Sequence, residues 1–285
     1  SSDVCSSDLG YILKIFAAFV EVTLTNSFML NFPADTPWVW RQGLKRSRRH
    51  RLRHRCFPPP AVTDMRENGR EIDPYDDRCD HVLLREHGTG RLVGSFRLLL
   101  LEYGAEISES YSAQFYDLAR LEAFAGPVAE LSRFCIDPEV KDPDALLFAW
   151  PALTQIVDER SVGLLFGCTS FAGNSPAPYR SAFGLLAQKS LASAQWLPRR
   201  RAQEIVDLAQ RAGETDPKQG LSQLTPLLRS YLAMGGWVSD HAVIDRSLGA
   251  LHVFTGLEID RILPVRKRLL RALAPPGLAV LNGAQ

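Results

Sequence analysis

The stretch Val128-Ala-Glu-Leu-Ser-Arg-Phe-Cys-Ile136 is mostly apolar, with three polar side chains among its middle residues. This pattern predicts a buried central strand. Side chains alternate between the two faces of a strand, so Glu130 and Ser132 share one face and Arg133 points to the other. A charge in the middle of a buried strand is costly unless it is paired or used. The stretch therefore predicts a functional site, with a structural ion pair or an edge strand as the alternative.

Two further apolar runs predict strands around it. The runs 80–85 and 91–100 flank His87-Gly-Thr-Gly90, which predicts a β-hairpin. A helical pattern over 144–160 and a second buried strand over 161–171 follow the central strand. This strand–helix–strand order predicts that the two buried strands pair in parallel.

The rest of the chain continues the mixed pattern. We predict helical segments at about 177–192, 199–212 and 224–234, a polar loop at 213–219, and closing strands at 237–244 and 250–257. No linker or repeat divides the chain, so we predict one mixed α/β domain over 41–274, with an N-terminal extension (1–40) and a tail (275–285). Residues 1–9 resemble a translated sequencing adapter and are left out of this prediction.

Composition narrows the class of protein. The 285 residues are 46% apolar and 23% charged with a net charge of +1, which is typical of a soluble globular protein and argues against a surface built throughout for nucleic acid. The five cysteines are scattered without a zinc-type spacing, so we expect no metal and a reducing cytoplasm. The apolar stretch 11–32 carries too many polar residues for a membrane-spanning helix.

The strongest charge run lies at 41–55, where eight arginines and lysines fall within fifteen residues. One interpretation is a solvated helix face. The other is a docking patch for an acidic partner such as a carrier protein, anionic lipid headgroups or nucleic acid.

Known nucleotide, metalloprotease and serine-hydrolase motifs are missing, and the notable residues are instead charges at or just before strands. Their order resembles that of acyl-homoserine lactone synthases: Arg53-x-x-x-Phe57, Asp73-Pro-Tyr-Asp76, Phe96-Arg97-Leu-Leu and Glu130-Leu-Ser-Arg133-Phe134. The continuations 165–171 and Leu227-Leu-x-x-Tyr231-Leu-x-x-Gly235-Gly-Trp237 more closely resemble the related L-ornithine Nα-acyltransferases, which make lyso-ornithine lipid from a 3-hydroxyacyl carrier protein. Both groups are similar in fold to the Gcn5-related N-acetyltransferases.

The resemblance implies a splayed pair of parallel strands, 128–136 and 162–170, with the thioester in the opening. An attacking amine must lose a proton, and Glu130 is the expected general base. Asp73 and Asp76 suit the cationic side chain of ornithine, and Arg97 or Arg133 suits its carboxylate. By the same resemblance Arg53 and Phe57 belong to the substrate site. The alternative for each is a structural role in holding an N-terminal cap.

One departure concerns the acyl donor. The loop Pro138-Glu-Val-Lys-Asp-Pro-Asp144 has no glycine and three acids, where many acetyltransferases cradle a pyrophosphate. This favours acyl carrier protein over free coenzyme A, and no cofactor beyond the phosphopantetheine thioester is expected. The docking residues would be Arg48, Arg49, Arg51 and Arg55.

The sequence thus predicts a cytoplasmic N-acyltransferase that moves a 3-hydroxyacyl chain to the α-amine of L-ornithine, with peripheral contact at the inner membrane and no nucleic-acid partner. Two alternatives stay open. One is transfer to another amine, such as S-adenosylmethionine or another amino acid. The other is a non-enzymatic basic binding module.

Overall fold

The computed structural model describes residues 46–57, 69–85, 91–140, 149–211 and 216–272. The predicted N-terminal extension, the hairpin turn at 87–90, the second half of the loop 138–144 and the predicted tail lie outside these residues.

Strands and helices are mixed along the described chain. The strands are β1 (Asp80–Arg85), β2 (Leu92–Leu101), β3 (Tyr116–Asp117), β4 (Val128–Ile136), β5 (Leu164–Ala172), β6 (Arg199–Arg200), β7 (Ile205–Asp207), β8 (Trp237–Asp245) and β9 (Ala250–Glu258). The α-helices are α1 (Arg46–Cys56), α2 (Ala149–Glu159), α3 (Arg180–Lys189), α4 (Pro217–Gln223), α5 (Pro226–Ala233) and α6 (Pro264–Ala272). Short 3₁₀ turns include Pro74–Asp77 and Ser112–Gln114.

Seven strands form one sheet in the order β1-β2-β4-β5-β9-β8-β7. Only β4 and β5 run parallel, and the other neighbours are antiparallel. The predicted hairpin and the parallel strand pair are both confirmed. Helix α2 packs Trp150 and Leu153 onto one face of the sheet, in a buried cluster with Leu131 and Leu165. The opposite face carries Glu130 and the site described below.

The two central strands separate soon after they begin. Pairing between β4 and β5 is restricted to Val128–Leu164, Ala129–Leu165 and Glu130–Phe166, and the remainder of both strands diverges. We call this opening the fork. A Cβ atom on Gly167 would lie 2.2 Å from the Leu131 carbonyl oxygen, so only glycine fits where the strands part. The splayed geometry implied by the resemblance is confirmed.

A β-bulge in β4 overturns one prediction. The register runs from Arg97–Ser132 to Ser95–Cys135, so both Arg133 and Phe134 face Phe96. Arg133 has a φ of 50°, a left-handed conformation that is uncommon outside glycine. The extra residue breaks the alternation, and the Arg133 side chain turns to the same side as Arg97. The prediction that it points away from Ser132 is wrong for this reason.

The region after α3 also differs from prediction. The predicted helix at 199–212 is wrong, because β6 pairs with β3 and β7 pairs with β8 along the sheet edge. Edge pairing here outweighs the local helical pattern. Part of the predicted loop at 213–219 is helical, since Asp216 caps α4 by accepting a hydrogen bond from the Lys218 N–H at 2.9 Å.

Within the described ranges, the helices are too short or too polar for any of them to cross a lipid bilayer.

Candidate active site

Six charged side chains from four parts of the chain meet on the Glu130 face of the sheet. They are Arg53 from α1, Arg97 from β2, Arg133 from β4, and Glu71, Asp73 and Asp76 from the segment before β1. We call these six residues the charge network. Five of them were predicted as site residues from the sequence, and the fold brings all five together.

Arg97 is the centre of the charge network. Its guanidinium group donates to both carboxylate oxygens of Asp73, at 2.5 and 2.8 Å, and to Asp76 at 3.0 Å. Its Nε donates to the Ser132 hydroxyl at 2.9 Å. The residue is 1% exposed, so these charges meet where water cannot screen them.

Arg53 ties helix α1 to the same acids. It donates to Glu71 at 2.5 Å and forms a short ion pair with Asp76. Burial opposes ionisation of Asp76, but the charges of Arg53 and Arg97 outweigh it and lower the pKa of that carboxyl to about 2. His50 adds a longer contact to Asp76 at 3.6 Å.

Arg133 completes the charge network on the fork side. Its guanidinium group lies 3.0 Å from Glu71 and 3.0 Å from Asp73. It also stacks over the Tyr111 ring at 4.7 Å and lies 6.0 Å from the centre of the Phe57 ring. The bulge in β4 makes these contacts reachable.

The charge network balances three cations with three anions among the described residues. The carboxylates of Asp73 and Asp76 already have arginine partners. Arg97 and Arg133 likewise already have acidic partners. Direct substrate binding by Arg53, Phe57, Asp73, Asp76, Arg97 and Arg133 stays a prediction. Sequence reasoning missed Glu71, although its position two residues before Asp73 in an extended segment places both on one side.

Glu130 lies at the last paired position of the fork and is 1% exposed. Its carboxylate accepts hydrogen bonds from the Tyr111 N–H at 2.8 Å, the Ser112 N–H at 2.7 Å and the Ser112 hydroxyl at 2.5 Å. Burial raises the pKa of Glu130, while the hydrogen bonds from Ser112 and Tyr111 oppose part of that rise. A carboxylate with a raised pKa is a stronger base than an ordinary glutamate.

Ser112 connects Glu130 to the other wall of the fork. The Ser112 hydroxyl lies 3.4 Å from the Sγ atom of Cys168 on β5, two residues beyond the last β4–β5 pair. The hydroxyl is therefore placed to pass a proton between a group in the fork and Glu130. Neither Ser112 nor Cys168 was predicted as a site residue. The only sequence signal was the position of Cys168 in a predicted buried strand.

The four predicted docking arginines lie on α1 near this site. Arg48, Arg51 and Arg55 are exposed and Arg49 is half-buried. Positions 48, 51 and 55 share one helix face by their spacing. Arg55 also donates to Asp137 at 2.6 Å, just after β4. The exposed face is thus cationic and adjoins the end of the strand that forms one wall of the fork.

An apolar cavity of about 40 Å³ lies on the opposite face of the sheet, between α2 and α6. Leu153, Leu165, Met234 and Leu257 are among its lining residues. Leu165 belongs to the second of the three β4–β5 pairs, so the cavity lies behind the closed end of the fork.

The chain is similar in sequence to known acyltransferases. The acetyltransferase (GNAT) domain family matches residues 52–151. The chain is 32% identical over 192 residues to the L-ornithine N(alpha)-acyltransferase of Rhodobacter capsulatus, covering 66% of this chain and 74% of that protein. It is 31% identical over 205 residues to the protein of the same name from Brucella abortus, covering 68% and 72%.

Solved structures give weaker matches. One is a CoA-dependent acyl-homoserine lactone synthase with SAM and isopentyl-CoA, at 16% identity and a TM-score of 0.41, covering 81% of this chain and 82% of that one. Another is the arginine/ornithine succinyltransferase subunit AI from Pseudomonas aeruginosa, at 15% identity and a TM-score of 0.33, covering 67% and 63%.

Proposed function

Since the chain belongs to the L-ornithine N(alpha)-acyltransferase family, we propose that it moves a 3-hydroxyacyl chain from acyl carrier protein to the α-amine of L-ornithine. Family membership makes the chain an acyltransferase, so a non-enzymatic binding module is set aside. The donor, the chain and the acceptor are the proposal. The product would be a lyso-ornithine lipid.

The reaction forms one amide bond and breaks one thioester bond. The α-amine nitrogen attacks the thioester carbonyl carbon, the carbon–sulfur bond breaks, and the phosphopantetheine sulfur leaves as a thiolate. The nitrogen loses one proton before the attack and a second one after it, and the second proton converts the thiolate to the thiol. The attacking nitrogen must lose its proton, because an α-amino group is largely protonated near neutral pH. The carbonyl oxygen carries a negative charge in the intermediate and needs hydrogen-bond donors.

The fork with Glu130 at its closed end is the observation that carries this proposal. We assign the ammonium proton to Glu130 by way of the Ser112 hydroxyl, which donates to the carboxylate at 2.5 Å and reaches Cys168 on β5. Backbone N–H groups of β4 beyond Glu130 have no partner on β5, so those directed into the fork suit the oxyanion.

The apolar cavity behind the fork suits a fatty donor. Leu165 lines it, and Leu165 lies on the strand that forms one wall of the fork. A chain attached to a thioester in the fork could bury its first methylene groups there, at roughly 0.8 kcal/mol for each buried group. The cavity is too small for a long chain, so the rest would extend past α6.

Docking of an acidic carrier protein is supported by the exposed face of α1. We predict that the double substitution Arg48→Glu, Arg51→Glu raises the KM for 3-hydroxyacyl carrier protein by about tenfold or more and reduces its salt dependence. The same pair should leave the KM for a short 3-hydroxyacyl pantetheine thioester unchanged, because that donor lacks the protein surface.

A matched control is the pair Arg199→Glu, Arg201→Glu, which replaces one exposed arginine in β6 and one directly after it. This pair changes the net charge by the same amount away from α1. Equal effects of the two double variants on the carrier-protein KM would contradict the docking assignment.

The function itself is tested with purified protein and a matrix of donors and acceptors. Donors are 3-hydroxyacyl carrier protein, its unhydroxylated counterpart and 3-hydroxyacyl coenzyme A. Acceptors are L-ornithine, L-lysine, glycine and S-adenosylmethionine. We expect an amide of the correct mass from ornithine and 3-hydroxyacyl carrier protein at the highest kcat/KM. Product from S-adenosylmethionine with none from ornithine would replace the proposed acceptor.

A further inference from the structure

The side-chain ammonium group of the acceptor needs an acidic partner that the charge network does not already use. Ornithine brings a side-chain ammonium group, and Asp73 and Asp76, which the sequence assigns to it, are already paired with arginines. A cation in a buried site needs an acid that lacks such a partner. Besides the expected base Glu130, Asp245 is such an acid on the same face of the sheet in the described part of the chain.

Asp245 ends β8 and is 4% exposed. One carboxylate oxygen accepts from the Ser247 N–H at 2.9 Å, the Ser247 hydroxyl at 2.6 Å and the Leu248 N–H at 3.1 Å. The other oxygen, Oδ2, is buried and has no hydrogen-bond partner among the described residues. The first oxygen therefore caps the β8–β9 turn, while the second is left for something else.

The strand register places Asp245 on the fork side of the sheet. Val243, two residues earlier, packs in the same buried cluster as Phe166 and Cys168 of β5. Val243 pairs with His252 of β9, and His252 pairs with Ser170 of β5. Asp245 therefore belongs to the arm of the sheet that forms the β5 wall of the fork.

The charge of Asp245 also affects the pKa values of Tyr111 and Cys168. Burial raises the pKa of Tyr111 to about 12, and the negative charge of Asp245 adds to that rise although Arg133 opposes it. The same carboxylate contributes to the raised pKa of the Cys168 thiol, after burial. Asp245 thus acts electrostatically on Cys168 of β5 and on Tyr111, whose N–H donates to Glu130.

Aromatic rings continue from the fork toward Asp245. Tyr111 contacts Phe115 with ring centres 5.4 Å apart, and Phe115 contacts the His252 ring at 4.8 Å. The Nδ1 atom of His252 lies 3.2 Å from the Tyr116 hydroxyl, and its Nε2 atom has no partner among the described residues. Burial lowers the pKa of His252 to about 4, so this ring is neutral near pH 7 and does not compensate the charge of Asp245.

We propose that Asp245 binds the side-chain ammonium group of the acceptor, with Phe115 and His252 beside it, and so selects a diamino acid over neutral amino acids. Unpaired carboxylate oxygens and aromatic faces are the groups that recognise an ammonium ion. The α-amine would lie in the fork near Cys168, and the acceptor side chain would extend across β5 and β9. This assignment rests on ornithine being the acceptor.

The test compares L-ornithine with L-norleucine, in which a methyl group replaces the ammonium group. Asp245→Asn keeps the oxygen that caps the turn and removes only the charge. We expect it to lower kcat/KM for ornithine by about 10- to 100-fold, mainly through KM, because one charge-assisted contact is lost. Transfer to norleucine should change by less than about twofold.

The control is Asp207→Asn, which removes the charge of a half-buried acid paired with Arg200. It should leave kcat/KM unchanged for both acceptors. An unchanged ratio of ornithine to norleucine in a folded Asp245→Asn protein would overturn the proposal. Asp245→Glu keeps the charge and should retain more preference for ornithine than Asp245→Asn, which gives a second measurement if the first variant folds poorly. Absence of ornithine transfer by the wild-type protein would instead refute the proposed acceptor.

Discussion

Replacing Glu130 by glutamine should lower turnover at least about tenfold while the protein stays folded. The carboxylate is the only group in the Glu130–Ser112 pair that can hold the proton released by the attacking amine. Glutamine keeps one acceptor oxygen, which can retain the hydrogen bond from the Ser112 N–H, whereas its NH2 group takes the place of the oxygen that accepts from the Tyr111 N–H. We expect the local turn to survive the loss of this one bond. Steady-state kcat with saturating donor and acceptor measures turnover, and circular dichroism checks that the variant is folded.

The pH profile separates a catalytic role from a positional one. The useful form of Glu130 is the carboxylate, and burial raises its pKa. As pH falls, wild-type kcat should therefore decline at a higher pH than an ordinary glutamate would give. Glu130→Gln should lose this decline, since glutamine does not titrate.

Ser112→Ala is the companion variant. It removes the hydroxyl between Glu130 and Cys168 but leaves the backbone hydrogen bonds to the carboxylate. A drop in kcat comparable to that of Glu130→Gln supports proton transfer through Ser112. Near wild-type turnover of Glu130→Gln would move the base role to Asp73 or to a water chain.

Arg97→Met should cost about 3–5 kcal/mol of unfolding free energy. The substitution removes one arginine partner of Asp73 and one of Asp76, and it keeps an apolar chain of similar length at a position that is 1% exposed. Asp73 then keeps Arg133 and Asp76 keeps Arg53, so three acids share two cations and one negative charge in the network is uncompensated. Urea unfolding of the purified variant gives the difference directly.

Two further variants test whether the loss of unfolding free energy in Arg97→Met comes from the charge network. Arg200→Met breaks the surface pair with Asp207 and should cost only about 0–1 kcal/mol. Arg97→Met combined with Asp73→Asn should recover part of the loss, because it removes the excess negative charge and leaves two cations with two anions. Equal destabilisation by Arg97→Met and Arg200→Met would contradict the central role of the charge network.

The lowered pKa of Asp76 determines how the free energy of unfolding changes in acid. The pKa of Asp76 is lowered to about 2 in the folded protein, below the value of about 3.9 in an unfolded chain. A lowered pKa stabilises the folded state above pH 4, and the contribution is lost as pH falls through about 2. The free energy of unfolding of the wild-type protein should therefore fall as the pH is lowered from 4 to about 2.

The sequence by itself determined the central strands, their parallel pairing and the set of charges that converge on one face. Apolar runs of strand length and a helix between them leave few other arrangements, because a parallel pair needs a crossover. The resemblance to acyl-homoserine lactone synthases singled out Arg53, Asp73, Asp76, Arg97 and Glu130, and the fold then brings these residues to one face of the sheet. Their type was informative because charge is costly in a core.

Only the tertiary structure decided which of those charges are already paired with one another. Glu71 joins the charge network through a contact across 62 residues to Arg133, and no local pattern reports such a distance. The bulge at Arg133 depends on the register with β2, so strict alternation placed that side chain on the wrong face. The unpaired oxygen of Asp245 likewise emerges only when β8, β9 and β5 lie side by side, because hydrogen-bond partners are set by packing between distant segments.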